Sequence, residues 1–64
     1  MTNEQINASR FVALRNTGCT FTVTDTQITV VCGENSEVVN FTKQTPAASL
    51  KRDLEVAVSR ASGG

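Results

Sequence analysis

Cys19-Thr20-Phe21-Thr22-Val23-Thr24 is the segment that decides the fold, because apolar side chains and threonines alternate along it. Period-two alternation predicts a β-strand with one face on a core and the other face away from it. Two further strand-like runs follow, from Ile28 to Cys32 and from Val38 to Thr42, and a turn precedes each of them. This part of the chain is therefore expected to form a small sheet with two different faces.

The two turns set the pairing of the three strands. A first turn at Asp25-Thr26 places Phe21 opposite Val30 and Cys19 opposite Cys32. A second turn, Gly33-Glu34-Asn35-Ser36, contains the Gly and Asn that supply unusual backbone angles, and a four-residue loop there places Val30 opposite Val39. Ile28 then lies opposite Phe41. The prediction is a three-stranded antiparallel meander with the second strand in the middle.

Helix signals flank this sheet. Thr2 followed by Gln5 fits a capping box and Gly18 is a helix stop signal, so the first helix is expected over residues 3 to 16. Thr45-Pro46 predicts an N-cap followed by proline at the first helical position, so the second helix is expected over residues 46 to 61. Small and apolar residues recur along the second helix at spacings of three and four, as a buried seam requires. These are Ala47, Leu50, Leu54, Ala57 and Ala61.

The predicted fold class is α+β: a two-layer αβββα domain over residues 1 to 62, with both helices on one face of the sheet and a flexible tail at Gly63-Gly64. Ala8, Phe11 and Val12 form the helical stripe expected to face the core. The sheet is expected to bury one face, made of Phe21, Val23, Ile28, Val30, Val39 and Phe41.

The opposite sheet face is expected to be uncovered, uncharged and only moderately polar. It carries Thr20, Thr22, Thr24, Thr29, Val31, Val38, Asn40 and Thr42. Such a face suits either water or a second copy of the sheet. Helix one also has more apolar circumference than one sheet contact requires, around Ile6 and Ala13. The interface candidates are accordingly Thr20, Thr22, Thr29, Val31, Val38, Asn40 and Ile6.

Size and charge narrow the function classes. A chain of 64 residues has a thin core, and its six basic and six acidic residues cancel, so no net field attracts nucleic acid or an anionic membrane. There is no histidine, no glycine-rich phosphate loop and no serine elbow. We expect no catalytic residues, no metal and no cofactor. The sequence shows neither a signal peptide nor a membrane span, which predicts a cytoplasmic protein.

Cys19 and Cys32 face each other in the predicted register, in a pair whose α-carbons lie near ~4.5 Å. A disulfide is geometrically allowed. In the cytoplasm, reduced thiols that pack as small apolar groups are the favoured state, with a disulfide or redox switch as the alternative.

Two alternatives to a protein-interaction role stay open. Lys43, Lys51 and Arg52, with the start of helix two, are candidates for phosphate contacts in a weak nucleic-acid binder. Against this, all three phenylalanines are expected in the core, which leaves no aromatic side chain for base stacking. Gly63-Gly64 resembles the ends of ubiquitin-like and sulfur-carrier proteins, which implies a carrier role.

Val39-Asn40-Phe41-Thr42, Ser49-Leu50-Lys51 within the segment 45 to 55, and Thr17-Gly18 are similar to segments of small phage head-tail joining proteins of the gpW kind. That resemblance implies a non-enzymatic subunit that joins a ring at a portal, located in a virion. Together with the uncharged sheet face, it leads us to expect a small interaction or assembly protein that works as a homo-oligomer, or a phage-derived protein that binds a host factor.

Overall fold

A computed structural model describes residues 1 to 63, so Gly64 of the predicted tail lies outside the described residues. The elements in chain order are α1 (Asn3–Arg15), β1 (Cys19–Val23), β2 (Gln27–Cys32), β3 (Asn35–Asn40) and α2 (Ala47–Ala61). The strands form one antiparallel sheet in the order β1-β2-β3. The α+β class and the meander with β2 in the middle are confirmed.

The predicted pairing of β1 with β2 is also confirmed. Phe21 lies opposite Val30, Val23 opposite Ile28, and Cys19 opposite Cys32. The turn between the strands is closed by Thr24, whose backbone N–H donates to the carbonyl oxygen of Gln27 at 2.8 Å. The alternation of threonine and apolar residues thus predicted the strand, and the position of the turn predicted its register.

The predicted pairing of β2 with β3 is wrong by two residues. The turn contains only Gly33 and Glu34, and Gly33 has φ +65°, the left-handed conformation that favours glycine. Asn35 therefore begins β3, Val39 lies opposite Ile28 instead of Val30, and the strand ends before Phe41. Because side chains alternate with period two, a shift of two residues leaves each side chain on its predicted face.

The helix ends follow local hydrogen bonds. Thr2 and Gln5 form the predicted capping box. α1 ends one residue earlier than predicted, where Asn16 donates from its side chain Nδ2 to the Val12 carbonyl at 2.8 Å. At α2 the predicted cap is wrong. Pro46 is the N-cap, because the Thr45 hydroxyl instead accepts a bond from the Thr42 backbone N–H at 3.0 Å.

The core lies between α2 and the inner face of the sheet, which is the face on which α2 packs. α2 packs on β2 and β3, whereas α1 packs mainly on α2 and touches the sheet chiefly at β1. The predicted seam of α2 is confirmed from Leu50 to Ala61. The buried apolar residues are Val12, Ile28, Val30, Cys32, Val39, Phe41, Leu50, Leu54, Ala57 and Ala61.

Three residues that the sequence assigned to the core are more open than predicted. Val23 is 47% exposed and Phe11 is 43% exposed, and Phe21 is half-buried at the margin of the core. For Val23 and Phe21 the reason is the position of α1, which packs mainly on α2 and leaves the β1 side of the sheet thinly covered. Phe11 lies instead at the surface between the two helices, beside Lys51 of α2.

Candidate protein-interaction surface

The outer face of the sheet, turned away from the core, is built by alternate residues of all three strands. It consists of Thr20, Thr22, Gln27, Thr29, Val31, Ser36, Val38 and Asn40. None of these side chains carries a charge. Six of the predicted interface candidates lie in the sheet, and the register places all six on this face.

Cross-strand neighbours define rows on the outer face. Thr22, Thr29 and Val38 form one row, and Thr20, Val31 and Ser36 form the next. Val38 is 53% exposed, while Thr29 and Val31 on the central strand are half-buried by their neighbours. At one end of the face the side chains of Gln27 and Asn40 are hydrogen-bonded, with Gln27 Nε2 donating to Asn40 Oδ1 at 3.0 Å. The middle of the face is thus a mixture of methyl and hydroxyl groups.

Ile6, the remaining interface candidate, lies on a different surface. It lines a shallow groove of about 370 Å³ between α1 and β1, which we call the β1 groove. The residues that line it are Met1, Ile6, Ser9, Arg10, Ala13, Phe21 and Val23. Arg10 is the one charged residue of the seven. The sequence predicted excess apolar surface on α1 around Ile6 and Ala13. This surface continues onto the exposed part of β1.

Cys19 and Cys32 are joined by a disulfide, with α-carbons 4.3 Å apart. The sequence favoured reduced thiols, and the structure differs from that expectation. The bond ties β1 to β2 at the end of the hairpin far from its turn. Cys32 is buried in the core and Cys19 is half-buried against it, so the bond lies at the margin of the core.

The three phosphate-contact candidates do not form one site. Lys51 and Arg52 line the same shallow depression on α2, whereas Lys43 lies in the turn before the helix. The Lys51 ammonium lies 4.3 Å from the centre of the Phe11 ring, and the Arg15 guanidinium lies 5.4 Å from the same ring. Sequence reasoning missed this cluster because it assigned Phe11 to the core.

Acidic residues are scattered over the surface. Glu34, Asp53 and Glu55 are exposed, and Glu37 makes a solvent-accessible ion pair of 4.0 Å with Arg60. Within residues 1 to 63, no three histidine, cysteine or acidic side chains come together as a metal site. Nor does any helix in that range have the length and apolar character to cross a bilayer.

The outer face and the β1 groove are therefore the surfaces on which the predicted interface candidates lie. No family model, curated protein or solved structure matches this chain.

Proposed function

We propose that the chain is a small non-enzymatic interaction or assembly protein that acts as a homo-oligomer through the outer face of its sheet. The observation that carries this proposal is the absence of charge from all eight side chains of that face. In the proposed architecture both helices cover the inner face, so that the outer face stays open to a partner.

Composition supports this use of the face. Charged residues make up 19% of the chain, and soluble domains place most of their charges on the surface. The centres of protein interfaces are depleted in charge. Val31 and Val38 add apolar area, and the threonine methyl groups extend it. A second copy of the same face can cover this surface without burying an ion.

Adding charge to the outer face tests the proposal. A variant with Thr22→Lys and Thr29→Lys introduces two neighbouring ammonium groups in the middle of the face. We expect it to have a lower oligomer mass by light scattering than the unmodified protein. A variant with Ser49→Lys and Ser59→Lys is the control, since it adds the same charge at exposed positions of α2. An unchanged mass in the threonine variant contradicts the use of the outer face.

The proposed location follows from the disulfide. The sequence predicted the cytoplasm, or a virion if the resemblance to phage head-tail joining proteins holds. Cytosolic reductants keep most thiols reduced, whereas virion surfaces and other oxidising sites preserve disulfides. The Cys19–Cys32 bond fits the virion better than the cytoplasm. A subunit of a head-tail ring and a binder of a host factor are both compatible with a homo-oligomer of this kind.

A weak nucleic-acid binder is the second candidate function, and the exposed Phe11 is the observation that favours it. An open ring beside Lys51 and Arg15 has the composition of a stacking site for single strands. Filter binding at low salt tests this candidate. Retention of single-stranded DNA or RNA that Phe11→Ala abolishes supports it, and no retention by the unmodified protein rejects it. A carrier role for Gly63-Gly64 rests on the sequence alone and is tested with a cognate activating enzyme.

A further inference from the structure

β1 is an edge strand whose outward hydrogen-bonding groups can be identified. The bond from the Thr24 N–H to Gln27 makes these two residues a hydrogen-bonded pair. Hydrogen-bonded and non-hydrogen-bonded pairs alternate along an antiparallel ladder. Thr20 and Thr22 therefore bond to β2, while the backbone groups of Phe21 and Val23 point away from the sheet. The bond from the Phe41 N–H to the Thr26 carbonyl is consistent with this assignment, because it makes Ile28 and Val30 bond to β3 and leaves Thr29 and Val31 to bond to β1.

The other edge of the sheet, β3, has charges that discourage pairing with another strand. Glu37 projects from β3 toward the helix side and meets Arg60, and Asp53 lies in the same depression between β3 and α2. Charged side chains on an edge strand, above all inward-pointing ones, are a common protection against edge-to-edge association. β1 contains no charged residue, no proline and no bulge over Cys19–Val23. The two edges therefore differ in how readily they accept a strand.

The sequence of β1 is self-complementary. When two copies run antiparallel with Phe21 opposite Phe21 of the other copy, Thr20 of each chain faces Thr22 of the other. Aromatic pairs and threonine pairs are both favourable cross-strand neighbours. The register also matches the backbone, because the central pair consists of residues whose N–H and C=O groups point outward. No like charges face each other along the paired strands.

The β1 groove supplies the additional contact that a five-residue strand needs. A specific interface usually buries about 800 Å² on each partner, more than a short strand edge offers. The groove lies alongside β1, and its exposed apolar side chains come from both α1 and β1, with Ile6 on the helix and Val23 on the strand. In a dimer with two-fold symmetry, the β1 groove of each copy contributes to the interface.

From these features we infer that the occupant of the β1 edge is a second copy of this chain, paired antiparallel through β1 with Phe21 at the two-fold axis. The result is a continuous six-stranded sheet with the α1 helices flanking the junction. This inference rests on the proposed homo-oligomer and adds a second contact to it. Joining two sheets edge to edge also doubles the width of the uncharged outer face.

Amide hydrogen exchange of the unmodified protein, measured residue by residue at low and high protein concentration, tests the inference directly. The Phe21 and Val23 amides are expected to exchange about tenfold more slowly at high concentration, where each is bonded to the second copy. The amides of Glu34 and Lys43, which lie in exposed turns outside both the β1 edge and the outer face, serve as the internal control and are expected to stay unchanged.

Light scattering of the same samples distinguishes the ways in which the inference can fail. If the mass rises with concentration while the Phe21 and Val23 amides keep their exchange rates, the edge pairing is wrong but self-association stands. If the mass stays at that of one chain, both proposals fail.

A proline variant gives an independent check. Val23→Pro removes an outward N–H that the monomeric sheet does not use, and it is expected to lower the oligomer mass. Equal masses for the Val23→Pro variant and the unmodified protein overturn the pairing through β1.

Discussion

Gln5 joins three parts of the molecule through one buried side chain. It is 1% exposed, and its Oε1 accepts a hydrogen bond from the Thr2 backbone at the start of α1. Its Nε2 donates to the carbonyl oxygens of Thr42 and Thr45, both at 2.8 Å. The side chain that closes the capping box therefore also binds the segment between β3 and α2. This side chain fixes the start of one helix against the start of the other.

Replacing Gln5 with alanine is expected to cost about 2 kcal/mol of unfolding free energy, because two carbonyls and one N–H lose their partner in a partly buried place. Urea denaturation measures this. Gln44→Ala is the control, since Gln44 is exposed in the neighbouring turn and its loss is expected to change stability by less than about 0.5 kcal/mol. Equal effects of the two substitutions contradict the role of Gln5.

At the residue scale, the sequence predicted the cap made by Gln5 but not its burial. The capping box is a local pattern, whereas the contacts with Thr42 and Thr45 join residues 37 and 40 positions apart. Phe11 was misplaced for a similar reason. Its apolar ring fitted the helical stripe, yet in the structure its neighbours are the cations of Lys51 and Arg15. Helical periodicity does not show how far α1 is rotated against its neighbours.

Among the elements, the two hairpins show where a sequence pattern specifies the register and where it does not. At β1 and β2 several pairings keep both faces consistent, and the short turn at Asp25-Thr26 selects the observed one. At β3 a two-residue and a four-residue turn both keep Val39 on the inner face. Period-two patterning distinguishes shifts of one residue but not shifts of two. The backbone conformation of Gly33 decides between them.

Gly33→Ala is therefore expected to destabilise the protein by about 1–2 kcal/mol, because in the left-handed conformation at φ +65° a Cβ lies too close to the carbonyl oxygen that follows it in the chain. Gly18→Ala is the matched control. A Cβ at either glycine meets no atom of the surrounding structure within 4 Å, but Gly33 has a positive φ and Gly18 does not. Its substitution is expected to leave stability unchanged or to raise it by about 0.4–1 kcal/mol. Thermal or urea unfolding of the two variants compares them, and a Gly33 variant as stable as the Gly18 variant contradicts the two-residue turn.

The disulfide across the first hairpin is expected to contribute about 3 kcal/mol, the value for a loop of similar length to the 13-residue separation of Cys19 and Cys32. Urea denaturation with and without reductant measures it. The Cys19→Ser/Cys32→Ser variant is the control and is expected to be insensitive to reductant. Intact mass after alkylation of unreduced protein checks the bond itself, and two alkylated thiols would show that it is absent.

The whole molecule separates its surfaces by composition. Its charges lie on the helices, the turns and β3, while the outer face and β1 carry none. The sequence predicted the uncharged outer face from threonine alternation alone. It did not predict that β1 stays thinly covered, because that depends on α1 packing on α2 more than on the sheet. Both uncharged surfaces belong to the same sheet, so one homo-oligomer can use both.

The mass of the unmodified protein in solution tests the central claim most directly. Light scattering over a range of concentrations is expected to give a mass of at least twice 6.8 kDa, the mass of one chain, at the upper end of the range. Dilution is expected to lower that mass, because the association is non-covalent. A mass of 6.8 kDa at every concentration contradicts a homo-oligomer built on either surface.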